Sequence, residues 1–460
     1  MKISATPPLT RVETILQNIV SAIETGRLPP GTRLPSIRRQ ALARGVSPFT
    51  VVEVYDRLAA QGYVQSRRGS GVFVLARERS EAKPKVILEE LPVDEHWLLH
   101  NVYNLPGKYL PVGCGWLPGD WYDTTAQHRA LRTLARDASI SSEYGDPQGF
   151  LALRHHLARQ LTEQDITVDA SNIVLTQGAS SALNIVAASV ARPGDTVFVD
   201  DPGYCNLLSS LTFQGFNVVG VPWSELGPDT KVLTDLLLQY RPRVFFTNPW
   251  LQNPTGASYN THTAHQVLKL AEQYDFLLVE DNVSADLANA RQTTLAALDG
   301  LSRVIYIGSF SKSVSPALRV GFIAAQSTWI EKLVRYKMMS GLTTPEINER
   351  ITLEILQESR FRKQMDKLRD RLAQAQFNAA QRFDGLGWEL FTRPQNGLFI
   401  LAKPPGKPDS LAMAQQARQS GILLAPGKLF RPYGQEASWL RFNVAYCQDP
   451  ALWRFLETIR

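Results

Sequence analysis

Residues 306–322, YIGSFSKSVSPALRVGF, run from an apolar stretch into a serine-rich loop holding one lysine, Lys312, and, seven residues later, Arg319. A lysine at the C-terminal mouth of a buried strand can offer its amine to an aldehyde. Ser309 and Ser311 add hydroxyls beside it, and the planar fork of Arg319 matches a phosphate. A lone lysine after a serine carries no information; the S-x-S-K-x6-R spacing behind a strand does. Outward from this loop, short apolar runs recur between helical patterns: NIVLT (172–176), TVFVD (196–200), RVFFT (243–247), FLLVED (276–281) and RVIYIGS (303–309). Their alternation predicts an α/β fold with a mainly parallel central sheet covered on both faces. A long charged helix near 346–382 and strands near 398–402 and 439–445 predict a smaller C-terminal α/β part.

Four further stretches bear on the same loop. Asp281 ends FLLVED, where a carboxylate can pair with a pyridinium nitrogen and keep a ring electron-poor; alternatively it caps a turn. TNPWLQNPTG (247–256) follows a strand, and its Asn253 can donate to a phenolic oxygen, although NPTG also makes an ordinary turn. TQGASSALNIV (176–186) joins a strand to a helix through Gly178-Ala179-Ser180. That is a phosphate cradle at a helix N-terminus or merely a small-residue connection. In DPGY (201–204), Tyr204 can stack on a ring or simply pack. Aldehyde, phosphate, pyridine and phenol together describe one ligand, pyridoxal 5′-phosphate.

In order and spacing these stretches resemble the fold-type I, class-I aminotransferase family across roughly residues 105–460. The resemblance implies that Lys312 holds the cofactor as an internal aldimine, that Asp281 pairs with the ring nitrogen, that Asn253 bonds the phenolic oxygen and that Tyr204 stacks on the ring. It implies phosphate contacts from Ala179, Ser180, Ser309, Ser311 and Arg319. Tyr144, in SEYGDPQG (142–149), resembles the tyrosine that reaches the neighbouring subunit's phosphate, so a homodimer is expected to complete the site. Arg441, in WLRFNVA (439–445), matches the position that clamps a substrate α-carboxylate; by itself it reads equally as an ordinary surface or salt-bridge arginine. Two positions depart from the family. Many enzymes carry a tyrosine three residues after the cofactor aspartate, where this chain has Ser284; regulatory relatives often carry one two residues after it, where this chain has Val283. Loss of that phenol donor is expected to weaken tuning for turnover while leaving cofactor binding intact.

The N-terminal segment has a different character. The chain carries 49 basic and 43 acidic residues, a net of +6, yet residues 1–77 hold eleven Lys/Arg against four Asp/Glu. That segment is +7 and everything after it is −1, which points to a polyanion partner for the segment alone. Val12, Ile15, Leu16, Ile19, Val20 and Ile23 form a helical stripe ending at Gly26. RLPPGTRLPS (27–36) makes a rigid turn, Ser36 can cap a short helix through Ala43, and Ser47 with Pro48 can open another that buries Val51, Val54, Tyr55 and Leu58. YVQSRRGSGVFV (63–74) then alternates and turns at Gly69 and Gly71. Helix, short helix, helix and two-stranded wing is the winged helix-turn-helix order, with the helix from Ser47 in the major groove and Arg67 and Arg68 at phosphate or the minor groove. A small helical adaptor with a solvated basic face is the alternative. Residues 9–75 closely resemble the GntR family of bacterial regulators, which implies DNA contacts from Arg38, Ser47, Thr50, Arg68 and Gly69. Many relatives place an arginine directly after the residue that opens the recognition helix; here Pro48 and Phe49 follow, so base readout is expected to differ.

With 460 residues, two to four domains are expected, and 44% hydrophobic with 20% charged residues excludes a disordered chain. No signal-peptide pattern opens the chain, no apolar run reaches membrane-span length, and Cys114, Cys205 and Cys447 are scattered away from metal spacing. A cytoplasmic protein with reduced thiols, no membrane partner and no metal site is expected. The expected organisation is a DNA-binding domain over 1–77, a linker over 78–100 and an aminotransferase-like domain over 101–460, its large part about 101–345 and its small part about 346–460. A GntR-like reader joined to such a domain resembles the MocR regulators. The resemblance implies a homodimer on double-stranded promoter repeats, sensing PLP, an amine or an amino acid by aldimine exchange. The alternative is a genuine class-I aminotransferase, transferring amino groups between amino acids and 2-oxo acids, with an accessory DNA-binding module; intact Lys312, Asp281 and Arg441 keep slow turnover possible.

Overall fold

The computed structural model describes residues 10–67, 69–76, 109–137, 143–289, 293–406, 408–435 and 437–459, and they form two compact units. In the first, α1 (Arg11–Glu24) starts with a reciprocal capping box between Thr10 and Glu13. Ser36 caps α2 (Ile37–Arg44), which ends on left-handed Gly45, and Ser47 caps α3 (Pro48–Ala60). Strands β1 (Val64–Arg67) and β2 (Gly71–Val74) pair antiparallel as the wing. Ile15 and Ile19 of α1 pack against Val51, Val54, Tyr55 and Leu58 of α3. The Tyr55 hydroxyl donates to the Pro35 carbonyl at 2.8 Å, tying the proline turn to this core. The order expected from the glycine, proline and serine punctuation is the one found.

The second unit is built on an eight-stranded sheet in the order β3-β10-β9-β8-β7-β4-β5-β6. Its strands are β3 (Ile173–Thr176), β4 (Thr196–Asp201), β5 (Asn217–Ser224), β6 (Gly227–Pro228), β7 (Val244–Thr247), β8 (Leu277–Asp281), β9 (Val304–Ser309) and β10 (Gly321–Ala324). Neighbours from β5 to β9 run parallel; β10 runs antiparallel between β3 and β9. Alternate residues of each central strand enter two different cores. Phe245, Leu278, Val304 and Tyr306 join one face, while Val244, Phe246, Val279, Ile305 and Ile307 join the other. This two-sided burial is why the strands read as unbroken apolar runs.

Helix α4 (Ala179–Val190) covers one face of the sheet, and α5 (Ser327–Gly341) packs with it. The long helix expected near 346–382 is two helices, α6 (Glu346–Gln357) and α7 (Ser359–Gly385). Glu358 between them is extended, with ψ 131°, and its carboxylate takes both ends of the Arg129 fork at 2.5 and 3.1 Å. The break redirects the chain. Ile351, Leu353 and Ile355 join the core of the large sheet, whereas Met365, Leu368 and Leu372 join a third core around Phe383, Trp388, Phe442 and Trp453. That third core lines the antiparallel sheet β11-β12-β14-β13, made of Glu389–Leu390, Phe399–Lys403, Leu440–Asn443 and Ala425–Pro426 respectively. Among the described residues no helix is long and apolar enough to cross a membrane, and the three cysteines are buried and form no disulfide.

Candidate functional site

Strands β3, β4, β7, β8 and β9 end at one edge of the sheet, and the residues singled out from sequence follow their C-terminal ends, where open α/β sheets bind ligands. Lys312 lies three residues past β9, partly buried, with its amine donating to the Gly115 carbonyl. Burial, opposed by the nearby Cys114 and Asp281 and reinforced by Arg441 and Arg319, pulls that amine down to about 8. A share of it is therefore neutral, hence nucleophilic, near neutral pH. Asp281 closes β8, and burial pushes its carboxyl up to about 6 against the Val283 N–H, which donates at 3.2 Å, and the charge of Lys312. A cationic ring nitrogen would give this carboxylate the partner that burial demands.

The loop after β3 forms a cradle. Gly178 adopts φ +81° as the N-cap of α4 and brings no side chain to the helix's first N–H groups. A Cβ there would lie 2.6 Å from Nη2 of Arg319, and one on Gly321 would lie 2.8 Å from the Gly178 backbone. Arg319 is left-handed at φ 52°, its Nη2 donating to the Gln177 carbonyl at 3.1 Å. The Ser309 and Ser311 hydroxyls stand 3.0 Å apart beside this turn. Tyr204 reaches Ser180 with its hydroxyl at 3.3 Å, accepts from Asn206 at 3.1 Å, and is pushed up to about 12 by burial. An arginine fork, uncapped N–H groups and hydroxyls around a space closed to any Cβ suit a phosphate.

Arg441 of β14, only 3% exposed, lies between the rings of Phe399 and Phe430, 4.7 and 4.6 Å from their centroids. Its fork donates to Asn253 Oδ1 at 2.7 Å and to the Gly113 carbonyl, while its Nε has no partner among the described residues. The bond to Asn253 orients that amide so that its NH2 is left to donate elsewhere. The reading of Arg441 as an ordinary surface or salt-bridge arginine is replaced by a buried guanidinium held by an amide and a carbonyl, with no carboxylate of its own chain as partner among the described residues.

Sequence reasoning missed the residues that tie these groups together. Asn248 donates to the Asp281 carbonyl at 2.6 Å and accepts the Asn253 N–H at 2.8 Å. Asn443 donates to the Cys114 and Trp116 carbonyls at 3.2 and 2.7 Å, shaping the loop that meets Lys312. The Tyr122 hydroxyl donates to the Ser311 carbonyl at 3.0 Å. Asn248 lies within TNPWLQNPTG (247–256) and Asn443 within WLRFNVA (439–445), so both were within reach; Tyr122 lies far from any motif. Of the departures, Ser284 is buried three residues past Asp281, and Val283 packs against the core beneath the sheet. Tyr144 is 82% exposed on this chain.

In the first unit, Arg38 sits exposed in the first turn of α2, and Ser47 Oγ accepts the Thr50 N–H at 3.1 Å while standing 2.9 Å from Thr50 Oγ1. Arg67 ends β1 with its guanidinium 5.0 Å from the Phe73 ring, and Gly69 turns the hairpin at φ +76°. Arg68 lies outside the described residues.

An amine, a buried carboxylate and an anion cradle at the strand ends define a fold that handles amino groups through an aldehyde cofactor. The chain belongs to the aminotransferase class I and II family, whose model matches residues 112–459, and residues 11–74 match the bacterial regulatory proteins of the gntR family. The uncharacterized HTH-type transcriptional regulator YdcR of Escherichia coli is 27% identical over 95% of this chain and 96% of its own length. A 2-aminoadipate transaminase of Thermus thermophilus is 30% identical over 70% of this chain and 81% of its own. Among solved structures, the α-aminoadipate aminotransferase LysN of Thermus thermophilus, complexed with N-(5′-phosphopyridoxyl)-L-leucine, superimposes with a TM-score of 0.70. It is 26% identical, covering 77% of this chain and 94% of that one. The chain is thus a gntR-type DNA-binding domain fused to an aminotransferase-like domain, the order of MocR-type regulators. Family and structural neighbours indicate pyridoxal 5′-phosphate as cofactor, and the cradle at Gly178 and the buried Asp281 fit it. When bound, that group supplies an aldehyde for amines and a ring that draws off negative charge.

Proposed function

We propose that this protein regulates transcription: its winged helix binds repeats in promoter DNA, and its aminotransferase-like part responds to PLP, an amine or an amino acid. The observation that carries the reading is that one chain joins a basic winged helix to a strand-end site where an amine, a buried carboxylate and an anion cradle occur together. At that site Lys312 receives the aldehyde, Asp281 faces the ring nitrogen, Asn253 the phenolic oxygen and Tyr204 the ring face. Ala179, Ser180, Ser309, Ser311 and Arg319 hold the phosphate, and the Arg441 guanidinium takes the effector's carboxylate. On the DNA side, Arg38, Ser47, Thr50, Arg67, Arg68 and Gly69 meet the duplex. An effector shifts DNA binding only insofar as its affinity differs between the two DNA-binding states.

The working form is a cytoplasmic homodimer, with domains at 1–77 and 101–460 joined by a linker over 78–100. Support comes from Tyr144, exposed beside the start of α6, where a Cβ on Gly145 would press on Glu346. Met338, Met339 and Leu342 at the end of α5 and Ile347 of α6 add exposed apolar surface for a second copy. The test is genome-wide footprinting with and without PLP: cofactor-dependent occupancy of discrete promoters is expected, and occupancy indifferent to PLP and to amines removes the sensing role. Intact Lys312, Asp281 and Arg441 favour one other reading, a dedicated aminotransferase. Multiple-turnover transamination at ~1 s⁻¹ or faster would establish it.

A further inference from the structure

We infer that Phe49 reads the 5-methyl group of a thymine in the major groove, which makes it a specificity-determining residue; the inference rests on the DNA-binding reading above. Phe49 is the second residue of α3, and 78% of it is exposed. The core-facing side of the helix is already filled by Val51, Val54, Tyr55 and Leu58, so the ring has no place in its own domain. Around it, the usual base-reading groups are absent or engaged. Pro48 has no N–H, the Ser47 and Thr50 hydroxyls are within 2.9 Å of each other, and residues 47–56 contain no lysine or arginine. The one arginine of α3, Arg57, pairs with Glu53 at 2.6 Å.

The edges of the bases in the major groove present donors, acceptors and one apolar group, the thymine methyl. A phenyl ring has no hydrogen bond to offer and matches only that group. The cations that attract phosphate lie on other elements: Arg38, Arg39 and Arg44 on α2 and Arg67 on the wing, all exposed. Attraction and readout are therefore divided, with arginines blind to sequence on the flanks and an aromatic ring at the entering end of α3.

Duplexes selected by the full-length protein from a random library supply the probe. Each thymine is replaced in turn by deoxyuridine, which removes the methyl and keeps the hydrogen-bonding edge. One thymine per repeat is expected to lose about fourfold in affinity, the value of one methyl group taken out of water. Phe49→Ala is expected to bind more weakly, to lose the uracil penalty at that thymine and to keep the wild-type salt slope, since no charge is removed. Leu42→Ala, which trims an exposed side chain of α2, is expected to keep the penalty. A wild-type protein indifferent to every uracil, as when the ring wedges between base steps, overturns the inference. So does a penalty that survives Phe49→Ala or vanishes in Leu42→Ala. Failure to enrich any duplex overturns the DNA-binding reading itself, a distinct result.

Discussion

The two units use positive charge in opposite ways. In the first, Arg38, Arg39, Arg44 and Arg67 are exposed on a helix and a wing. In the second, Lys312 and Arg441 are withdrawn from solvent, and Arg441 is clamped between two rings. Exposed cations act through a screened field, so their effect falls with ionic strength and ignores the identity of the anion. Placed and desolvated cations gain little from the field and much from fit, so they discriminate among small molecules. The proposed function therefore pairs a reader expected to be salt-sensitive with a receptor expected to be salt-insensitive.

The sharpest test of that contrast is Lys312→Ala. It should abolish covalent capture of the cofactor, read as loss of the visible absorbance band and of a borohydride-fixed mass adduct, whereas a retained adduct would move the aldehyde to another lysine. Next, raising salt from 50 to 200 mM should weaken DNA binding by about a thousandfold, as expected for roughly six phosphate contacts. Cofactor and amino-acid binding, followed by absorbance, should change by less than about threefold; parallel losses would erase the distinction. Arg441→Gln should cost about a hundredfold, near 3 kcal/mol, in affinity for a carboxylate-bearing effector, and almost nothing for the amine lacking that carboxylate. Equal losses for both would deny Arg441 its clamp. Arg38→Ala should lower DNA affinity several-fold and shallow the salt slope by about one, uniformly across sequences. Finally, the Lys312 amine is neutral above its lowered pKa and protonated below it. Its labelling by trinitrobenzenesulfonate in apo-protein should therefore rise with pH to a midpoint near 8; a midpoint above 10 would mean a solvated lysine.

The strands were legible where both faces are buried, because β3, β4, β7, β8 and β9 then read as unbroken apolar runs between helices. β5 and β10 were not. Gly220 and Pro222 interrupt the run in β5, and β10 follows the Arg319 loop as four residues whose antiparallel place depends on β3 and β9. The break at Glu358 was illegible for a different reason: ESRFRK contains no glycine or proline, and the fork that holds it comes from Arg129, 229 residues away. At the site, each strand-end residue could be found from its own motif. The bonds between motifs could not, since Arg441 meets Asn253 across 188 residues and Lys312 meets Gly115 across 197. Local chemistry is written locally; the cross-links are a product of the fold.

Arg441 draws on four chain segments at once: Gly113, Asn253, and the rings of Phe399 and Phe430. Replacing either ring would remove one of the two faces that hold the guanidinium plane without altering any polar atom of the site. Descendants of one ancestral chain can therefore come to answer different small molecules while every polar residue of the site stays the same. In such a lineage, diversity of response would be recorded in the aromatic residues, and a comparison restricted to the catalytic-looking ones would miss it.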